Sequence, residues 1–76
     1  MTKEMSRKFE NILKVCGQYS YRIGTTGDGK MCVVNFSDFK YTILGKENVY
    51  RFLNESENVK NPREMKKLFV RIATAA

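Results

Sequence analysis

The sequence predicts an α+β fold in the order α-β-β-β-α-α, with a three-stranded antiparallel meander packed against helices. Three observations predict it. Apolar residues recur with helical period at both ends of the chain, and they alternate with polar residues between Gln18 and Leu44. Turn-forming residues punctuate the middle at short intervals. The 76 residues allow one domain, residues 1–76, with a thin core. A chain of this size buries only about 60% of the surface it exposes when unfolded.

The first helix is expected over about residues 3–16. Met5, Phe9, Ile12, Leu13 and Cys16 form one apolar stripe at i, i+4, i+7, i+8 and i+11. Thr2 is placed to cap its start, and Gly17 to accept a left-handed conformation at its end. Glu4–Lys8 and Glu10–Lys14 are favourable i,i+4 pairs on the wet side.

Residues 18–24 then read as a strand, with Tyr19, Tyr21 and Ile23 on one side and Ser20 and Arg22 on the other. The stretch from Thr25 to Lys30 is rich in turn residues, and its Asp28-Gly29 pair suits a hairpin with positive φ. The second strand is expected over Met31 to Phe36, with Cys32, Val34 and Phe36 on one face. Ser37-Asp38 breaks it. In the third strand Phe39, Tyr41 and Ile43 alternate with Lys40, Thr42 and Leu44, and Gly45 closes it.

A short helix fits Lys46 to Asn54, with Val49, Phe52 and Leu53 inward, followed by a polar loop from Glu55 to Asn58. Asn61-Pro62-Arg63-Glu64 is a strong helix start: Asn caps, Pro takes the first helical position and Glu the third. Met65, Leu68, Phe69 and Ile72 supply the buried stripe of that last helix, which is expected to loosen from Ala73 onward.

Chemistry is limited by what the chain lacks. It contains no His, so the usual base at neutral pH is missing, as are Cys–His and Ser–His pairs. Glu55 with Glu57, and Asp28 with Asp38, read as solvated turn acids rather than as a catalytic pair. Cys16 and Cys32 read as reduced core residues, a disulfide between them being the alternative. With two Cys and no His, a zinc site lacks its four ligands. Gly24-Thr25-Thr26-Gly27-Asp28-Gly29-Lys30 is only loosely like a phosphate loop, because Met31 and a strand follow the Gly-Lys where Ser or Thr and a helix are required. No catalytic residue, metal or cofactor is therefore expected. No run of about 18 apolar residues occurs. The N-terminus mixes charge with apolar residues, unlike a secretion signal, so a cytoplasmic protein without membrane contact is expected.

The charge points to a partner. Lys and Arg outnumber Asp and Glu by 14 to 8, a net +6. The excess is uneven. Residues 60–76 carry Lys60, Arg63, Lys66, Lys67 and Arg71 against Glu64, a net +4. Arg63, Lys67 and Arg71 recur every four residues, giving a row of cations about 6 Å apart that can track a phosphate backbone. On the strands, Tyr19, Tyr21 and Tyr41 stand near Arg22, Lys30 and Lys40 in sequence. Aromatics interleaved with cations on a sheet suit base stacking combined with phosphate contact. The competing assignments are a solvated helix face and cross-strand core packing.

The α-β-β-β-α order and basic character resemble the double-stranded-RNA-binding domain. Gly45-Lys46-Glu47-Asn48 occupies the place of that family's lysine-rich helix start. Lys46 is followed by Glu47 where the family has a second lysine, and no residue role is carried over from it. The compact make-up also resembles small accessory proteins of bacteriophages, which often bind nucleic acid or host enzymes. Two functions are thus expected in order. The first is binding of an RNA or DNA backbone, RNA slightly ahead. The second is a protein-binding inhibitor or adaptor that targets an acidic surface of a host enzyme such as a nuclease or polymerase.

Overall fold

The computed structural model describes residues 2–37 and 40–75. Those residues form the expected α+β order: α1 (Lys3–Cys16), β1 (Tyr21–Thr25), β2 (Met31–Asn35), β3 (Thr42–Leu44), α2 (Lys46–Ser56) and α3 (Pro62–Ala75). The expectations for Asp38 and Phe39 lie outside the described residues.

Local chemistry fixes the helix ends. The Thr2 hydroxyl accepts the Met5 N–H at 3.2 Å and so starts α1. Gly17, at φ 89°, ends it by donating to the Leu13 carbonyl at 2.8 Å. Asn61 Oδ1 accepts the Glu64 N–H at 2.9 Å and starts α3. Lys8 pairs with Glu4 at 3.4 Å, as the spacing predicts. Glu10 and Lys14 form no such pair. α2 runs two residues past its expected end, because Ser56 is buried there and its hydroxyl donates to the Leu53 carbonyl at 2.8 Å. α3 stays helical to Ala75, with the Thr74 hydroxyl donating to the Val70 carbonyl at 2.7 Å.

The sheet is an antiparallel meander ordered β1-β2-β3. Its first turn sets the register. Gly29 N–H donates to the Thr26 carbonyl at 2.9 Å, Thr26 N–H donates to the Lys30 carbonyl at 2.8 Å, and Gly29 sits at φ 85°. This is a three-residue loop with a left-handed glycine, which aligns Thr25 with Met31. Ile23, Val33 and Ile43 consequently fall in one cross-strand row.

That row decides which face of β2 points inward. Val33 is fully buried and Asn35 nearly so, while Phe36 is 42% exposed. Cys32, Val34 and Phe36 face away from the helices. Two expectations change. β1 begins at Tyr21 instead of Gln18, since residues 18–20 form a turn held by the Ser20 hydroxyl on the Cys16 carbonyl at 2.5 Å. β3 spans only three residues, and Tyr41 precedes it.

All three helices pack on the Tyr21–Val33–Ile43 side, α1 against β1, α2 against β2 and β3, and α3 against β3. The core they share centres on three rings. Phe52 and Phe69 meet edge to face at 5.5 Å, and Tyr21 lies 5.3 Å from Phe69 and 6.0 Å from Phe52. Met5, Ile12, Leu53, Met65 and Ile72 close around them. Asn35, polar and buried, is satisfied by the Ser37 N–H at 2.9 Å and the Ser37 hydroxyl at 2.6 Å. The outer sheet face has no helix over it. Its rows are Arg22–Val34–Thr42 and Gly24–Cys32–Leu44. Cys32 is buried there, apart from the main core.

Candidate nucleic-acid interface

Two surfaces gather the residues singled out from the sequence. The first is the outward face of α3. Its buried stripe is Met65, Leu68, Phe69 and Ile72. At 100° per residue, Arg63 and Val70 lie directly opposite that stripe, with Lys67 beside them and Lys66 and Arg71 on the flanks. Arg63, Lys66, Lys67 and Arg71 surround the half-buried Val70 in a shallow depression of about 450 Å³.

Two carboxylates temper this face. Glu55 on α2 accepts from Arg51 at 3.3 Å and from Arg71 at 2.9 Å, joining α2 to α3. Glu64 lies 3.8 Å from Lys67. The cations and Glu64 are well exposed and Glu55 is half-buried; surface pairs of that kind contribute roughly 0–1 kcal/mol, so an incoming phosphate can compete for the cations. Arg63 and Lys60 hold no ion pair among the described residues.

The second surface is the end of the sheet nearest the start of α3. Tyr19 is 76% exposed. Its ring is not loose: the Arg22 guanidinium sits over it at 5.7 Å and also donates to the Gln18 carbonyl at 2.9 Å. Phe36 lies beside this pair, and Tyr19, Arg22 and Phe36 line a depression of about 320 Å³. Phe36 N–H donates to the Ser20 carbonyl at 2.8 Å, which fixes the two segments together. The surfaces adjoin. A smaller depression of about 140 Å³ is lined by Ser20 and Ser37 with Pro62 and Lys66 of α3. Ser20 and Ser37 are the chain neighbours of Tyr19 and Phe36.

Other candidates fall elsewhere. Tyr21 is 3% exposed and belongs to the ring cluster of the core, so it cannot stack on a base and leaves the set. Lys30 sits on the hairpin, at the far end of β1 from Tyr19, and the strand between them is about 13 Å long at 3.3 Å per residue. Lys40 and Tyr41 precede β3, whose first residue Thr42 pairs with Val34, so they lie toward the Phe36 end. Both are exposed.

Residues not singled out from the sequence join the basic surface. Arg7, Asn11 and Lys14 form one ridge of α1 at i, i+4 and i+7. Asn11 donates to the carbonyls of Ser56 at 2.8 Å and Val59 at 3.3 Å, so Arg7 and Lys14 flank the turn that carries Lys60. Sequence spacing along α1 shows the ridge, but only the docking of Asn11 shows which turn it meets. Phe36 is the other omission: sequence places it on one face of β2 with Cys32 and Val34 and assigns no side to that face.

Two groups among the described residues have displaced pKa values. Desolvation raises the Cys16 thiol above its ordinary pKa, which keeps it protonated at neutral pH. Asp28 is held below its ordinary value first by the Thr26 hydroxyl and then by backbone N–H groups of the turn. These two groups lie at opposite ends of β1. Among the described residues no cluster of three or more His, Cys, Asp or Glu could hold a metal. No described helix is long and apolar enough to cross a membrane. No protein-family model, curated protein or solved structure matches the chain.

Proposed function

We propose that this chain is a non-enzymatic nucleic-acid-binding protein that holds an RNA or DNA backbone, RNA slightly ahead, on the outward face of α3. One observation carries this reading. Arg63, Lys66, Lys67 and Arg71 surround the half-buried Val70 on the side of α3 opposite its fully buried stripe. Lys60 continues the row, and Arg7 and Lys14 of α1 extend it across the 56–59 turn. Contacts of this kind go to phosphates, so they set affinity and register with little dependence on sequence.

The test is direct. Binding of a labelled RNA should weaken as salt rises, and the triple variant Arg63→Ala, Lys67→Ala, Arg71→Ala should flatten that dependence by roughly two units of log–log slope, at about 0.7 to 0.9 per contact. Arg71→Ala releases Glu55 at the surface, which costs little stability. An affinity indifferent to salt, or a triple variant that binds as well as the parent, removes the proposal. A nuclease-treated preparation that retains a stoichiometric acidic protein and no nucleic acid would point to the inhibitor or adaptor function instead.

A further inference from the structure

The outer end of the sheet says which form of nucleic acid the chain takes. We infer that the Tyr19–Arg22–Phe36 cluster receives the bases of a single strand whose phosphates run onto α3. This inference rests on the proposed function and sharpens it from nucleic acid to unpaired nucleic acid.

An exposed apolar side chain standing alone is ordinary, but a cluster is not. Tyr19 and Phe36 are 76% and 42% exposed and line one depression with Arg22. Tyr19 is also fixed in place. Arg22 lies over its ring, and its neighbour Ser20 is tied to Cys16. A ring held in this way presents a flat surface without a large ordering cost on binding. Stacking on such a ring needs a base with a free face, which a single strand offers and a duplex does not.

Charge selects the occupant. Among the described residues the charged side chains along the path from Tyr19 to α3 are Arg22, Lys66 and Arg63, all cations; Asp38 lies outside the described residues. The described carboxylates sit elsewhere, Glu4 and Glu10 on α1. Asp28 is at the hairpin, and Glu47, Glu55 and Glu57 are on or next to α2. Glu64 falls some 160° around α3 from Lys66 at 100° per residue. A second copy of a chain with net charge +6 would bring like charge against this face, so self-association is disfavoured. An aromatic surface bordered by cations fits a polyanion with exposed apolar faces.

The experiment compares three probes by fluorescence anisotropy: a 12-nucleotide oligouridylate, the corresponding oligothymidylate and a 12-base-pair RNA duplex. At equal salt the single strands should bind at least tenfold more tightly than the duplex. Tyr19→Ala and Phe36→Ala should each weaken single-strand binding roughly 5- to 150-fold, the equivalent of one stacked base. Both should leave the salt slope and the duplex affinity unchanged, and Tyr19→Phe should retain binding. Circular dichroism and thermal melting check that Phe36→Ala remains folded. The tyrosine fluorescence of the parent should be quenched by the oligonucleotide and less so in Tyr19→Ala. If both aromatic variants bind oligouridylate normally while the triple α3 variant does not, the stacking site is wrong and the nucleic-acid function stands. If the parent binds none of the three probes at 50 mM salt, both fall. A protein retained after nuclease treatment in a Tyr19-dependent way would assign the face to a protein and overturn the inference.

Discussion

Phe69 touches both Tyr21 and Phe52, so the centre of this small core is one ring cluster rather than a spread of aliphatic contacts. Phe69→Ala should therefore cost about 3–5 kcal/mol. Marginal stability of roughly 0.05–0.15 kcal/mol per residue amounts to about 4–11 kcal/mol for a chain of 76 residues, so the substitution removes a large share of it. Urea titration should show the midpoint lowered in the same proportion. Tyr19 and Tyr21 show how far single residues can be read from sequence. Alternation places them on the same side, yet one is in solvent and the other in the core. The strand starts only at Tyr21, and the turn at residues 18–20 rotates Tyr19 out. Nothing in the local pattern marks that boundary, because it depends on Ser20 reaching back to the Cys16 carbonyl. Asp28 gives a second prediction at this scale. Its folded pKa is depressed, so its contribution is present above the ordinary value of 3.8 and is lost as pH falls through the lower, folded value. An NMR titration should find the Gly29 and Lys30 amide shifts moving with a midpoint below 3.8, and Asp28→Asn should abolish that movement.

Helices and strands differ in how much of their structure is written locally. The bounds of α1 are legible because Thr2 and Gly17 act within one turn of the helix they end. The start of α3 is legible for the same reason at Asn61 and Pro62. The buried faces of the helices are equally plain, since Val49, Phe52 and Leu53, or Met65, Leu68, Phe69 and Ile72, leave only one apolar side. β2 is different. Cys32, Val33 and Val34 are all apolar, so alternation cannot choose between its two faces. The three-residue hairpin loop chooses, by aligning Thr25 with Met31. That same choice turns Phe36 outward and creates the half of the candidate site that sequence alone does not place. Element ends also yield a stability test. Gly45 starts α2 at φ 91°, ψ 144°, and a Cβ there would meet no atom within 4 Å. Gly45→Ala thus isolates backbone strain from crowding and should cost about 1–3 kcal/mol by chemical denaturation. Asn61→Ala removes the acceptor for the Glu64 N–H and should cost about 1 kcal/mol.

For the molecule as a whole, salt should act on folding and on binding with opposite signs. The chain carries +6 within a radius of gyration of 11.1 Å and extents of 33 × 28 × 21 Å. At about 0.01 M salt the Debye length is roughly 30 Å, so cations on α1, the sheet end and α3 all repel one another through the compact state. At about 0.15 M it shrinks to roughly 8 Å, and only near neighbours still interact. The ion pairs that salt would weaken, Arg71–Glu55 and Lys67–Glu64, are exposed and individually worth little. Relief of repulsion should win, and the melting temperature should rise between those two salt concentrations. Binding should move the other way. If Lys60, Arg63, Lys66, Lys67 and Arg71 each meet a phosphate, as proposed, the log–log slope for a single strand is about −3.5. Affinity should then fall roughly a hundredfold between 50 and 200 mM salt. Thermal melts and anisotropy titrations over one salt series measure both effects on the same protein. A melting temperature that falls together with the affinity would mean that the surface ion pairs outweigh the repulsion, and that the cations on α3 are held by Glu55 and Glu64 too firmly to be free for phosphate.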